Sequence, residues 1–210
     1  MSTPRKTPRQ QRSEFTFDAI LDAAARLFQQ HGYAATTTNK VAELAGVSIG
    51  TLYHYIPNKD ALLYALAERH LRTGAADLLA EAAQLRSEQP PLADTVRRLI
   101  TAVARLHTAE PHLHRLLYEQ APRTPASTEK LKQFEQLLAN EVAFHLIRLG
   151  IDGTDPALTA TLLVQAVEAQ IHGVVLEPLD GHTIDDGVET VIAFWTRALT
   201  AQTTSRVPRC

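Results

Sequence analysis

Cysteine is almost missing: the one thiol, Cys210, is the last of 210 residues. That excludes an internal disulfide framework and a cysteine-rich zinc site, and the chain reads as cytoplasmic. Aromatic residues are scarce, at 6% with a single Trp, so the core has to be built from aliphatic side chains. No apolar run approaches the roughly 20 residues a membrane helix needs, and no membrane partner is expected. The start, MSTPRKTPRQQR, is basic with no apolar stretch behind it, so no secretory signal is expected. Also lacking are internal repeats, low-complexity segments and any period-2 run bounded by hairpin turns.

What is present is an ordinary core-forming composition, 45% hydrophobic and 21% charged. The net charge of −2 argues by itself against a nucleic-acid partner, but its distribution does not. Residues 1–70 carry eight Lys/Arg against six Asp/Glu, and the remainder thirteen against seventeen. Arg5, Lys6, Arg9 and Arg12 stand in the first thirteen residues with no acid among them. Such asymmetry suits a polyanion at the front end, or a solvated tail. Charge alone leaves both open.

Apolar residues recur at helical spacing nearly throughout, which predicts an all-α chain of about nine helices. The expected organisation is a basic flexible arm (1–13), a three-helix N-terminal domain (14–73), a larger helical domain (74–203) and a tail (204–210). The first helix is expected over about Phe17 to His31, ended by Gly32. A second begins near Thr38 and stops at Gly46, a third runs from Ser48 to about Tyr55, and Asn58 caps a fourth. Behind Pro90-Pro91 the helices lengthen, with further starts at Pro111, Ser127, Pro156 and Ile184.

The segment TTTNKVAELAGVSIGTLYHYI, Thr36 to Ile56, is the most informative. Val41, Leu44 and Ala45 form the buried face of one short helix, Gly46 permits a tight turn, and Leu52 and Ile56 bury the next. That is the packing of a helix-turn-helix. The outer face of the second helix then offers Ser48, Ile49, Thr51, Tyr53 and His54, not the Lys/Glu mix of an idle surface. Ile49 suits a thymine methyl, Thr51 a base edge, and Gly50 a close backbone approach. Tyr53, Tyr55 and Lys59 carry donors for phosphate oxygens, and Thr38 adds a hydroxyl at a helix start. Each has a plainer reading: Tyr55 packed against a neighbouring helix, Val47 as turn packing, His54 as ordinary surface.

From Ile20 to Leu63 the sequence ILDAAARLFQQHGYAATTTNKVAELAGVSIGTLYHYIPNKDALL resembles the DNA-binding domain of the TetR (tetracycline repressor) family. One departure is Ile56, where that family usually carries Phe. The resemblance implies phosphate contacts from Thr38, Tyr53, Tyr55 and Lys59. It implies base or groove contacts from Val47, Ser48, Ile49, Gly50, Thr51 and His54. It also implies a palindromic operator in double-stranded DNA, a homodimer paired through the last two helices, and a small-molecule effector bound by the rear domain. An effector-independent DNA-binding protein of the same fold is the alternative.

The rear sequence fits these implications. Pro156–Leu176 is apolar or small on more than one face, the pattern of a helix buried on two sides. Val167, Ile171, Val174 and Val175 there, with Val191 and Trp195 of the last helix, are the candidate dimer contacts. Trp195 as intrachain core is the equal rival. Polar groups at otherwise apolar positions, His107, Tyr118, Gln165, Glu168 and His172, are the candidate effector site, because ligand cavities are mostly apolar with a few placed polar groups. His107, His112 and His114 straddle the break at Pro111 without a cysteine, so no metal and no cofactor are expected. Gly46-Val47-Ser48-Ile49-Gly50 spells the G-x-S-x-G of a hydrolase nucleophile, but that chemistry needs a strand before the serine, and here a helix precedes it. No catalytic residue is expected.

Overall fold

The computed structural model describes residues 8–122, 124–151 and 155–204, and these form nine helices and no strand. They are α1 (Pro8–Ala35), α2 (Thr38–Leu44), α3 (Ile49–Tyr55), α4 (Lys59–Glu88), α5 (Leu92–Thr108), α6 (Pro111–Gln120), α7 (Pro125–Arg148), α8 (Pro156–Leu176) and α9 (Ile184–Thr204). The expected all-α architecture is thus observed. Helix α1 begins well ahead of Phe17 and takes in the later part of the expected arm. Residues 1–7 of that arm, and 205–210 of the expected tail, lie outside the described residues.

Two compact units emerge among the described residues: 8–70 with 112–122, and 71–111 with 124–151 and 155–204. The first unit therefore gains α6, which the sequence reading placed in the rear domain. Leu113 and Leu117 of α6 are the reason, since both are buried in the front core with Ile20, Leu21 and Phe28 of α1 and Leu62, Leu63 and Leu66 of α4. Val41 of α2 and Leu52 and Ile56 on α3 complete that core. Burying each such side chain is worth about 1.5–3 kcal/mol, which is what holds two seven-residue helices too short to persist alone.

Local chemistry sets the boundaries. Gly32 leaves the helical region at φ 75° and bends α1, and the buried Thr36 hydroxyl then donates to the carbonyl oxygens of Leu27 and Gly32. Thr37 caps α2, Ser48 caps α3, and Asn58 Oδ1 accepts from Ala61 N at 2.8 Å to start α4. Between α2 and α3, Gly46 takes φ 68°, a value that costs most L-residues free energy.

The second unit packs α8 against α5, α7 and α9 over a core of Val96, Ile100, Ala139, Leu146, Leu163, Ile171, Val175 and Ile192. Arg148, at the end of α7, donates to the carbonyls of Gln89 and Pro90 and to Thr95 Oγ1, tying that end to the turn before α5. Helix α8, starting on the cap Asp155, is long and apolar enough to cross a membrane by length and composition alone, although polar residues interrupt its apolar runs as the sequence reading has it. It nevertheless carries Glu168 and His172 and lends its buried residues to this core.

Candidate functional site

Helices α2 and α3 hold their outer residues through short local contacts. Ser48 Oγ accepts from Thr51 N at 3.0 Å and lies 2.8 Å from Thr51 Oγ1, so the cap also orients the threonine. Thr38 Oγ1 of α2 and the Tyr53 hydroxyl of α3 meet at 3.1 Å, setting two hydroxyls side by side on the surface. Tyr53 is 50% exposed and Ile49 39%, large side chains that the unit leaves in solvent while Leu52, between them on the helix, is fully buried. His54 is exposed with its ring edge-on to Tyr55 at 5.3 Å. A Cβ built on Gly50 would meet nothing closer than Ser48 Oγ at 3.8 Å. Internal packing therefore does not require glycine there.

Three other predicted contact residues are engaged inside the unit. Tyr55 is half-buried, its hydroxyl 3.1 Å from Ser13 Oγ and its ring 6.2 Å from that of Phe17 on α1. Lys59 Nζ donates to the carbonyls of Tyr33 (2.7 Å) and Thr36 (3.1 Å) and sits 4.1 Å over the Tyr33 ring. It thereby satisfies carbonyls at the end of α1. Val47 packs against the core. Tyr33, missed by the sequence reading, is the hub of this corner: burial, then its hydrogen bond to Asp60 and that group's charge, push its phenol up to about 12. Ser48 caps a helix that follows another helix, so the setting of a hydrolase nucleophile does not occur here.

In the second unit the structure brings together three of the five candidate effector residues. Glu168 Oε1 lies 3.1 Å from His107 Nε2 and 3.8 Å from His172 Nδ1, and the two imidazoles are 5.3 Å apart, edge to face. His107 is buried at the end of α5, with Nδ1 2.8 Å from the Val103 carbonyl. Since that carbonyl only accepts, Nδ1 carries a proton and Nε2 faces the carboxylate. Burial works against the charged imidazole, but Glu168 and the Val103 carbonyl prevail and raise His107 above the usual histidine range. Burial likewise opposes the Glu168 carboxylate, and the hydrogen bonds and charges of His107 and His172 outweigh it, holding the group down at about 2. Gln165 is not part of this cluster; it lies exposed on α8, beside Lys132, Gln136, Thr161 and Val164 in an open cleft of about 240 Å³. Tyr118 belongs to the first unit and is exposed.

Ile171, Val175 and Val191, nominated for a dimer face, are buried in their own unit's core, and Val167, Val174 and Trp195 are half-buried against it. The Trp195 indole donates to Gln170 Oε1 at 2.8 Å. The large apolar side chains that α8 and α9 leave exposed are Leu158, Leu162 and Phe194.

Two family models match the chain. Residues 20–66 match "Bacterial regulatory proteins, tetR family", and residues 91–192 match "Tetracyclin repressor-like, C-terminal domain". The chain belongs to the TetR family. A TetR-family relative, the uncharacterized HTH-type transcriptional regulator YhgD of Bacillus subtilis, is 28% identical over 172 residues, 79% of this chain and 88% of its own. An uncharacterized HTH-type transcriptional regulator of Mycobacterium tuberculosis is 38% identical over 74 residues, 35% of this chain and 37% of its own. Among solved structures, the fatty acid degradation regulator FadR from Bacillus halodurans superposes with a TM-score of 0.62 at 20% identity, covering 86% of this chain and 97% of that one. AibR, solved with isovaleryl coenzyme A and operator DNA, gives 0.60 at 18%, covering 85% and 97%. At these identities the two structures share the TetR fold with this chain. The family is one of transcriptional regulators carrying a helix-turn-helix, not of enzymes.

Proposed function

We propose that this TetR-family protein is a cytoplasmic, ligand-responsive repressor that binds a palindromic operator in double-stranded DNA as a homodimer and is released by a small-molecule effector. The observation that carries this reading is the outer face of α3: Ile49, Tyr53 and His54 are held out in solvent beside the hydroxyls of Thr38 and Thr51, on a helix whose inner face is fully buried. Ile49, Gly50, Thr51 and His54 reach base edges in the major groove, with Ser48 and Val47 at its rim. Thr38 and Tyr53 donate to phosphate oxygens. Tyr55 and Lys59 fix the angle between α1, α3 and α4, and their remaining contact with the backbone of DNA is secondary. Exposed Leu158, Leu162 and Phe194 of α8 and α9, flanked by Val167, Val174 and Trp195, form the dimer face. Two-fold pairing sets the recognition helices about 34–36 Å apart, one turn of DNA.

His107, Glu168 and His172 form the polar heart of the effector site. Helix α4 belongs to both units and transmits occupancy to the DNA-binding end, where a coupling of about 1–3 kcal/mol changes operator affinity roughly 5- to 150-fold. Repression is favoured by the repressor-like description of the matching C-terminal model. The alternative is an effector-independent regulator of the same fold. Deleting the gene and measuring transcript levels tests the regulator reading and its sign. A repressor gives a rise in a small set of transcripts whose promoters bind the purified protein. A fall in the same transcripts contradicts repression, and no change contradicts the regulator reading.

A further inference from the structure

We propose that the second unit contains a site for a divalent transition-metal ion, built by His107 of α5 with Glu168 and His172 of α8. One oxygen of Glu168 stands 3.1 Å from His107 Nε2 and 3.8 Å from His172 Nδ1, and a nitrogen of each histidine lies within 4.8 Å of one on the other. Donors bonded to one zinc-like ion at about 2.0–2.2 Å stand roughly 3–3.5 Å from one another. The carboxylate is already at that spacing from His107, and a small rotation of His172 closes the third side.

The elements hold these groups in place for that task. Glu168 and His172 are one turn apart on α8 and so share a face. The Val103 carbonyl, accepting from His107 Nδ1 at 2.8 Å, sets the orientation of the ring and aims Nε2 into the cluster. A backbone acceptor on the far nitrogen is the usual support of a metal-binding histidine. The position is also reachable, because the Glu168 side chain is 44% exposed while His107 behind it is buried.

Two imidazoles and one carboxylate suit zinc, nickel, copper or ferrous iron over magnesium or calcium, which prefer all-oxygen shells. Three protein donors leave at least one position for water or for a chelating ligand. The inference rests on the proposed effector site for what the ion would regulate, but not for whether it binds. A titration of the full chain with Zn²⁺ or Co²⁺ in the absence of DNA therefore tests it alone, and its failure leaves the regulator reading standing. One ion per chain is expected, with the visible absorption of Co²⁺ bound to nitrogen and oxygen donors. His172→Ala and Glu168→Gln should each weaken binding more than about 100-fold, beyond the roughly 10- to 100-fold that loss of a supporting group costs. Thermal melts should show both variants folded, and His182→Ala should bind as the parent does. Absence of binding in the parent overturns the proposal, as does undiminished binding in either folded variant.

Discussion

At the scale of single residues, exposure separates side chains held for a partner from those spent on the fold. Ile49→Ala removes an apolar group already in solvent, so stability should change by no more than about 0.5 kcal/mol. Specificity at the base pair it meets should fall by about 1–3 kcal/mol, read by anisotropy with operator variants. Leu52→Ala, three residues along and fully buried, should instead lower stability by about 2–5 kcal/mol in urea unfolding. Equal effects of the two on stability would refute the division. His145 offers a test in pH. Burial first, then the neighbouring Arg148, lower its pKa below the ordinary 6.5. The folded state thus binds fewer protons than the unfolded one, and stability is lost as pH falls from about 6.5 toward the folded value. His145→Asn, which keeps an acceptor toward Arg148, should flatten that loss relative to the parent between about pH 6.5 and 5. An unchanged slope in paired denaturation curves would exclude His145 as its source.

At the scale of elements, the close approach of α9 to α8 makes a tight packing demand. A Cβ on Gly187 would fall 2.5 and 2.9 Å from the two methyls of Val174, a side chain with little rotamer freedom. Gly187→Ala should therefore destabilise the chain by about 1–3 kcal/mol. Gly173, on α8 with nothing within 4 Å of its would-be Cβ, should respond oppositely, gaining about 0.5–1 kcal/mol as alanine. Thermal melts of the two variants check the pair, and a shift in the same direction contradicts it. Most element boundaries were legible because their causes are local: Asn58 bonds a residue three along, and Gly32 and Gly46 mark the turns they make. Less legible was what depends on distant partners. An apolar stripe in α6 says that Leu113 and Leu117 are buried but not in which core. The sequence offers Lys59 and Tyr55 as phosphate ligands but does not show that Tyr33, Thr36 and Ser13 also engage them inside the unit. On α8, periodicity did not distinguish Ile171, which its own core takes up, from Leu158 and Leu162, which it leaves outside.

At the scale of the whole molecule, the reading joins two assignments, an operator read by α3 and a dimer formed through α8 and α9. Leu162→Glu with Phe194→Glu changes only exposed side chains, so the fold should persist while sedimentation shifts from dimer to monomer. Operator affinity should drop with it, because a single helix-turn-helix makes few contacts. A variant that stays dimeric would move the interface elsewhere. The most direct test of the central claim is selection of bound fragments from random duplex DNA, run with the native protein and with Tyr53→Ala. The account predicts a palindrome with half-sites one DNA turn apart from the native protein and none from the variant. A folded, dimeric native protein that recovers no preferred sequence at low salt would contradict it.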